Sequence, residues 1–348
     1  MIKLYDLSQS GEWDATVCSF REYDVYYLSG YVKAFQIHGD GDPQLLYYEA
    51  DGLKAIYVYM KRKTAIEGYY DSVTPYGYGG VLFEFGIANP EQQMALLQAF
   101  WKAYVEKMRE EGIVDNFVRY HPVLKNAIPM KEISTVIDLG KTIAFDLESP
   151  EVIWENIISK NRNMIRKAEK NGITIEHGKG MELLDKFTEI YNATMDKDHA
   201  EEYYYFKRPF YESIDRDLQD NYEMFYAMYE GRPIAMSIMI FANGRLNYHL
   251  SGSDIEYRNL APSNLLLYKA ALWGYEQGCK TFHLGGGVGS GEDNLYKFKA
   301  AFNKNSDYQF SIGKEIFDQE KYDELVAMRA ASDAEFDPES KFFPLYRA

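Results

Sequence analysis

The apolar runs QLLYYEA (44–50) and LKAIYVYMKRK (53–63) predict two strands, and the Asp51-Gly52 pair between them is a strong two-residue hairpin signal. A glycine-containing link, TPYGYGG (74–80), follows. The pattern then lengthens to a helical period over PEQQMALLQAFWKAYVEKMREEG (90–112), with proline at its start and glycine at its end as a helix prefers. IVDNFVRY (113–120) reads as a further strand.

The same order recurs downstream. YEMFYAMY (222–229), PIAMSIMIF (233–241) and RLNYHLSG (245–252) are strands separated by Glu230-Gly231 and Asn243-Gly244 turns. APSNLLLYKAALWGYEQG (261–278) is the matching helix and KTFHL (280–284) the matching strand. Two copies of one α/β unit explain the repetition economically. The second copy is preceded by a strand TIAFDL (142–147), a helix from about Pro150 to Lys170, a strand ITIEH (173–177) and a helix from about Met181 to Asp196. Residues 200–221 interrupt it with a short helix and an aromatic loop. The expected domains are therefore 1–140 and 141–348. A chain of 348 residues also exceeds the roughly 250–300 at which one core stops growing.

Composition narrows the class. Hydrophobic residues make up 46% and tyrosines number 31, enough for substantial cores. The N-terminus has no basic segment leading into an apolar one, and no stretch is long enough to cross a bilayer, so a cytoplasmic location is expected. Cys18 and Cys279 make no disulfide framework, and six scattered histidines lack metal-ligand spacing, so no catalytic metal is expected. The net charge of −15 opposes nonspecific adhesion to DNA or anionic lipid, leaving anion binding to local patches.

TFHLGGGVGSGEDNLYKFKAAFN (281–303) raises the question of a phosphate cradle. Gly286 and Gly291 have Walker spacing, but Glu292 stands where lysine is needed, and a GxGxxG reading from Gly285 or Gly287 ends on Ser290 or Glu292. Ser290-Gly291-Glu292-Asp293 reads instead as a capping box opening a helix whose first-turn acids repel an anion. A β-to-α turn therefore outweighs a phosphate site. On that helix Leu295, Phe298 and Phe302 share a face, with Lys299 about 70° and Lys297 about 130° from its centre. Lys299 is thus placed at the edge of the buried face, reaching a cleft or snorkelling to solvent.

SKNRNMIRKAEKNG (159–172) carries five basic residues against one acid, and Arg162, Arg166 and Lys170 follow at i, i+4, i+8. In so acidic a chain this stripe is either a solvated face or a site for the phosphates of a nucleotide, lipid-linked sugar or RNA. Tyrosines cluster in the TPYGYGG link (Tyr76, Tyr78), in the YYY run of 203–205 that includes Tyr204, and on a strand at Tyr248. Such rings suit sugars and peptides as well as cores. No GxSxG elbow is present, so a covalent nucleophile is not visible.

NRNMIRKAEKNGITIE (161–176), the segment 251–287 and LYKFKAAFN (295–303) together resemble the FemABX group of the GNAT-like acyltransferases, and TPYGYGG is similar to a link in such proteins. The resemblance implies an α/β (α+β) fold of two tandem GNAT-like domains, each a mixed, largely antiparallel sheet flanked by helices. It implies transfer of an amino acid from aminoacyl-tRNA to an amine of a nucleotide- or lipid-linked peptidoglycan precursor, at the inner face of the membrane, with no tightly bound cofactor. The family's Phe-Lys pair matches Phe298-Lys299, with the lysine contacting phosphates or steadying an oxyanion. The carboxylate that holds the acceptor amine matches Glu84 or Asp71. The GNAT pyrophosphate loop would fall on Arg258–Asn264, which lacks its glycines and so favours the tRNA donor. The alternatives are an acyl-CoA-dependent N-acyltransferase acting on a surface-polysaccharide or amino sugar, and an inactive glycan- or peptide-binding module.

Overall fold

The computed structural model describes residues 1–86 and 89–348. The chain divides into two units, residues 1–139 with 310–348, and residues 140–309. The expected second domain of 141–348 is therefore too long at its C-terminal end. Its last segment joins the first unit because the final strand pairs there and Tyr322, Leu325 and Tyr346 pack on Val114.

The first unit opens with β1 (Ile2–Tyr5), α1 (Ser10–Cys18) and α2 (Ser29–His38), two helices that the apolar pattern did not announce. β2 (Asp42–Ala50), β3 (Leu53–Lys63), β4 (Tyr70–Val73) and β5 (Leu82–Phe85) follow, then α3 (Pro90–Glu110), β6 (Ile113–Arg119) and the short α4 (Ala127–Met130). β7 (Val136–Asp146) leads into the second unit. There come α5 (Pro150–Asn156), α6 (Ser159–Lys170), β8 (Thr174–Gly178), α7 (Met181–Lys197), α8 (Arg208–Asp217), β9 (Tyr222–Tyr229), β10 (Arg232–Ala242), β11 (Arg245–Ser253), α9 (Pro262–Glu276), β12 (Thr281–Gly285) and α10 (Asn294–Ala300). β13 (Tyr308–Ile316) and α11 (Gln319–Ser332) return to the first unit.

The internal repeat is visible in strand order. In the first unit β1-β2-β3-β4 are successive antiparallel neighbours, β4 pairs β6 in parallel, and β6 pairs β13 antiparallel. In the second, β8-β9-β10-β11 are antiparallel, β11 pairs β12 in parallel, and β12 pairs β7 antiparallel. The parallel step requires a crossover, supplied by α3 in one copy and α9 in the other. All three sequence-marked hairpin turns have positive φ at both central residues: 49° and 87° at Asp51-Gly52, 49° and 78° at Glu230-Gly231, 46° and 74° at Asn243-Gly244. That geometry matches the twist of the flanking strands.

Each unit has its own core. Tyr57, Tyr59, Phe100 and Tyr104 anchor the first, and Phe145, Ile165, Leu267 and Phe282 the second. The helix expected over Pro150–Lys170 is two helices, because Ile157 and Ile158 are extended (ψ 130° and 150°). The break turns Ile157 into the core and lets the Ile158 amide donate to the Ala301 carbonyl at 3.1 Å. Among the described residues no helix is long and apolar enough to cross a membrane.

Candidate functional site

In the second unit the two parallel strands pair over Arg245–Asn247 and Thr281–His283. Both become irregular just beyond. On β11, Leu250 faces Ile238 and Tyr248 faces Met239, which makes His249 an extra, bulged residue. On β12, His283 faces Ala144 and Gly285 faces Ile143, so Leu284 is the corresponding extra residue. Bulges of this kind bend a strand and re-aim its side chains. Burial pushes the His249 imidazole down to about 3, so it is neutral at physiological pH. The Tyr248 hydroxyl donates to Ser251 Oγ at 2.7 Å, and its burial raises the phenol's pKa.

The chain leaves β12 through Gly285, Gly286 and Gly287. One carboxylate then organises the turn: Asp293 Oδ2 accepts from the Val288 amide at 3.1 Å, and Oδ1 accepts from the Tyr296 amide at 2.8 Å. Asp293 is therefore the N-cap of α10. The expected cap, Ser290, lies in the preceding loop with φ 64°. Bonding to these amides holds the Asp293 carboxyl below the usual carboxylate range. A Cβ on Gly287 would stand 2.3 Å from the Gly291 carbonyl and 2.4 Å from Asp293 Oδ1, so the turn admits only glycine there.

Lys299 lies under this turn. It is 8% exposed, and its ammonium donates to the Gly286 carbonyl at 2.8 Å. Burial pushes its pKa down to about 8, against the opposing pull of Asp293. Neither expected geometry holds, since Lys299 is enclosed and Leu295 is 41% exposed. The reason is that α10 ends at Ala300 and Phe302 lies beyond it, so the three apolar residues do not form one helical stripe. Phe298 stacks edge-on against the fully buried Phe302 with ring centroids 5.3 Å apart, fixing the last turn that carries the lysine.

Three other elements of this unit meet near the end of α10. Asn161 at the start of α6 donates to the Ala301 carbonyl at 3.3 Å and accepts from Asn264 of α9 at 2.6 Å. No sequence signal marked Asn161, because its role depends on two long-range partners. Arg162 and Arg166 extend from α6 over the Trp154 ring, 5.9 and 5.1 Å from its centroid. Ahead of α9 the chain forms a 3₁₀ turn over Ile255–Leu260, where the Ala261 amide is consumed by the Arg258 carbonyl and Pro262 has no amide. Few backbone donors are left there for a pyrophosphate. The Arg258 side chain is exposed. Tyr204, in the inserted segment, is half-buried and packs edge-on against Tyr203.

The first unit contains a cavity of about 690 Å³, lined by Arg21, Glu49, Lys54, Phe83, Glu84 and Pro129 among others. Glu84 sits on β5 directly opposite Lys54, and its Oε1 accepts from the Arg21 amide at 2.5 Å. Asp71 is elsewhere, fully buried on β4. It is ion-paired to Arg62 at 2.6 Å and to Arg347, and lies 3.1 Å from the Tyr346 hydroxyl. So enclosed, it cannot serve as an acceptor-holding base, and this candidate is corrected to a structural role. The Tyr346 hydroxyl also lies 2.5 Å from Asp115 Oδ2, so its single proton is shared by two carboxylates. Burial, reinforced by the Asp71 charge, pushes Asp115 up to about 7 even though the Tyr346 hydrogen bond works the other way.

The TPYGYGG link is likewise largely structural. Tyr76 stacks on Phe35 at 5.3 Å and its carbonyl accepts from the Tyr31 hydroxyl, while Tyr78 packs against Tyr26 and His121. Gly77, at φ 86°, passes so close to Tyr26 that a Cβ would be 2.6 Å from the ring. His121 itself bonds Asp24 at 2.9 Å in full burial, a pair the sequence did not flag. Among the described residues no cluster of three or more His, Cys, Asp or Glu is arranged to hold a metal.

Residues 158–299 match the family model of the acetyltransferase (GNAT) domain. The match is confined to the second unit and runs from the residue before α6 to Lys299. No curated protein matches the chain. Among solved structures, FemX is similar over 92% of this chain and 99% of its own, with a TM-score of 0.69 and 16% identity. The C-terminal domain of a protein named as a lysylphosphatidylglycerol synthetase from Agrobacterium fabrum covers 93% of this chain and 96% of its own, at TM-score 0.57 and 14% identity. A conserved protein of unknown function from Bacteroides thetaiotaomicron covers 90% and 99%, at 0.56 and 11%. The chain shares the fold of FemX, in line with the resemblance read from the motifs, and its two units repeat one strand order.

Proposed function

We propose that the protein is an aminoacyltransferase that forms an amide bond. It moves an aminoacyl group from aminoacyl-tRNA to an amine on a nucleotide- or lipid-linked peptidoglycan precursor, working in the cytoplasm at the membrane's inner face. The observation that carries this reading is Lys299: a cation enclosed beneath the glycine turn with one acceptor, the Gly286 carbonyl, among the described residues. In such a dry site a fixed N–H donor is worth far more to a developing negative charge than in water.

In the proposed step the neutral acceptor amine attacks the ester carbonyl, and a C–N bond forms as the carbonyl oxygen gathers charge. The Lys299 ammonium stabilises that oxyanion. The ribose oxygen then leaves with the electron pair of the broken C–O bond and takes up a proton, while the new amide nitrogen gives one up. Phe298 fixes the segment bearing Lys299, and Tyr248 and Tyr204 supply aromatic surface for substrate. FemX and the lysylphosphatidylglycerol synthetase relative support cell-envelope substrates by their names alone.

Acyl-CoA as donor is the second reading, favoured by the acetyltransferase model over residues 158–299 and by the net charge of −15. The loss of amide donors ahead of α9 weighs against it. The test is mass spectrometry of a UDP-linked muramyl pentapeptide incubated with the protein and charged tRNAs, or with acetyl-CoA. A gain of one amino-acid residue is expected. A gain of one acetyl group would overturn the donor, and no gain in either sample would overturn the acceptor.

A further inference from the structure

The basic stripe on α6 is unusual for what does not surround it. On four other helices of this acidic chain a cation has a carboxylate one turn away: Lys107 with Glu111 at 2.7 Å, Lys186 with Glu182 at 2.9 Å, Arg208 with Glu212 at 3.0 Å, Arg329 with Asp333 at 2.8 Å. On α6, Lys160, Arg162, Arg166, Lys167 and Lys170 have no carboxylate within ion-pair distance among the described residues. The helix's single acid, Glu169, is paired outward to Lys269 of α9 at 3.3 Å. In a chain of 53 acids and 38 bases, five neighbouring unpaired cations repel one another and cost stability unless an external anion neutralises them.

The geometry narrows the anion. Arg162 and Arg166 both lie against the Trp154 ring, which meets that of Tyr268 at 5.1 Å. Arg162 is further tethered by a 3.4 Å bond to the Trp154 carbonyl. A guanidinium held over an indole loses less freedom when it grips a phosphate, and the half-buried Trp154 and Tyr268 rings offer stacking surface beside it. The position is also suggestive of a path. The start of α6 is bonded to Ala301, and Lys304 Nζ donates to the Glu155 carbonyl at 3.0 Å, so the stripe begins where the Lys299 helix ends.

We infer that the Arg162–Trp154–Arg166 stack, continued by Lys167 and Lys170 along α6, is a docking surface for a single-stranded polynucleotide, with backbone phosphates on the guanidiniums and a base on the rings. The inference rests on the RNA-donor reading above and deepens it by placing the donor's single-stranded end along α6. An anionic membrane is the competing occupant. It is disfavoured because a membrane-surface helix needs an exposed apolar face, and on α6 the apolar residues Ile165 and Ala168 are fully buried.

The test uses the full chain and an uncharged, fluorescein-labelled single-stranded RNA, measured by anisotropy across a salt series, beside vesicles of equal parts phosphatidylcholine and phosphatidylglycerol. For wild type, RNA binding should weaken linearly on a log–log salt plot. Arg162→Gln/Arg166→Gln should lower the magnitude of that slope by about 1.4, at about 0.7 per phosphate contact on a single strand. Trp154→Ala should weaken RNA binding about tenfold while leaving the slope nearly unchanged. Lys186→Gln, on the paired α7 face, should change neither, and thermal melts establish that each variant is folded. A double variant with the wild-type slope, or vesicle binding that the double variant abolishes while RNA does not bind, would overturn the assignment. The two proposals fail separately. Aminoacyl transfer that survives in the double variant with unchanged KM for tRNA removes the docking surface only, and RNA binding through α6 without any transfer removes the enzymatic reading only.

Discussion

Replacing Lys299 with Met separates stability from catalysis, because burying the cation costs the fold what it lends the reaction. The folded-state pKa of about 8 lies below the ordinary 10.5 of a lysine, so the unfolded chain holds the proton more tightly. At about 1.4 kcal/mol per unit, the protonated site costs about 3 kcal/mol at neutral pH. Met fills a similar volume without charge, but it leaves the Gly286 carbonyl unpaired, which returns roughly 1–2 kcal/mol of that gain. Lys299→Met should therefore stabilise the protein by about 1–2 kcal/mol at pH 7, a rise of roughly 2–8 °C in the melting temperature of a unit this size. The sign of the pH dependence follows from the same shift. Between pH 8 and 10.5 the unfolded state keeps a proton that the folded state has lost, so wild-type stability rises with pH and the gap to the variant closes. Transfer activity should meanwhile fall at least about a hundredfold, the usual cost of removing an oxyanion donor. Calorimetry across this pH range and single-turnover kinetics provide the two readouts. A variant that melts below wild type by the same margin at pH 7 and pH 10, or that turns over normally, would refute the account of Lys299 as a buried catalytic cation.

Other perturbations follow from the same geometry. Turnover of the wild type should decline above pH about 8 as Lys299 loses its proton, a trend opposite in sign to its stability and visible in a pH–kcat profile. Gly287→Ala should displace the Asp293 cap and lower kcat at a cost of at least about 1 kcal/mol in stability, separable by melts and kinetics; unaltered kcat would mean the turn does not position Lys299. Asp115→Asn should raise the melting temperature at pH 8 and change it far less at pH 4, close to the ordinary 3.8 at which an unfolded aspartate also takes up its proton. The wild-type carboxyl, at about 7 in the fold, keeps its proton below that value, and its favourable contribution is lost as pH rises through it. Equal effects at the two pH values would show that Asp115 is ionised throughout.

How much of this was legible in the sequence depends on the range of the interactions involved. The hairpins were readable because Asp51-Gly52, Glu230-Gly231 and Asn243-Gly244 specify positive φ locally. The α3 and α9 crossovers were readable because proline opens both. The Ile157–Ile158 break was hidden, since it is stabilised by the Ala301 carbonyl far along the chain rather than by a local breaker. Lys299 was named by its motif, yet helical geometry put it at an edge when it is enclosed, because the helix is shorter than its apolar residues imply. Asp71 misled for a related reason. A carboxylate beside a strand looks the same whether it faces substrate or Arg62, Arg347 and Tyr346, and two of those partners lie at the far end of the sequence.

The repeat itself explains why the proposed chemistry sits in one unit. In both, a parallel strand pair with a helical crossover brings polar residues to the same level of the sheet. In the first unit those residues bond one another: Ser72 Oγ donates to Asn116 Oδ1 at 3.0 Å, Asn116 accepts from Tyr57 at 2.7 Å, and Asp71 and Asp115 share the Tyr346 hydroxyl. These bonds hold β4 against β6, and Asp115 Oδ1 is the one oxygen of the two carboxylates buried without a partner among the described residues. In the second unit the strand pairing gives way to a bulge at His249 and Leu284, then to a glycine turn whose carbonyl holds a lysine that the fold destabilises by enclosing it. A network whose donors are all taken up by the protein offers a ligand little, whereas an enclosed cation with spare donors gains from one. The same α/β unit thus spends its polar groups on the protein in one copy and encloses a lysine with spare donors in the other.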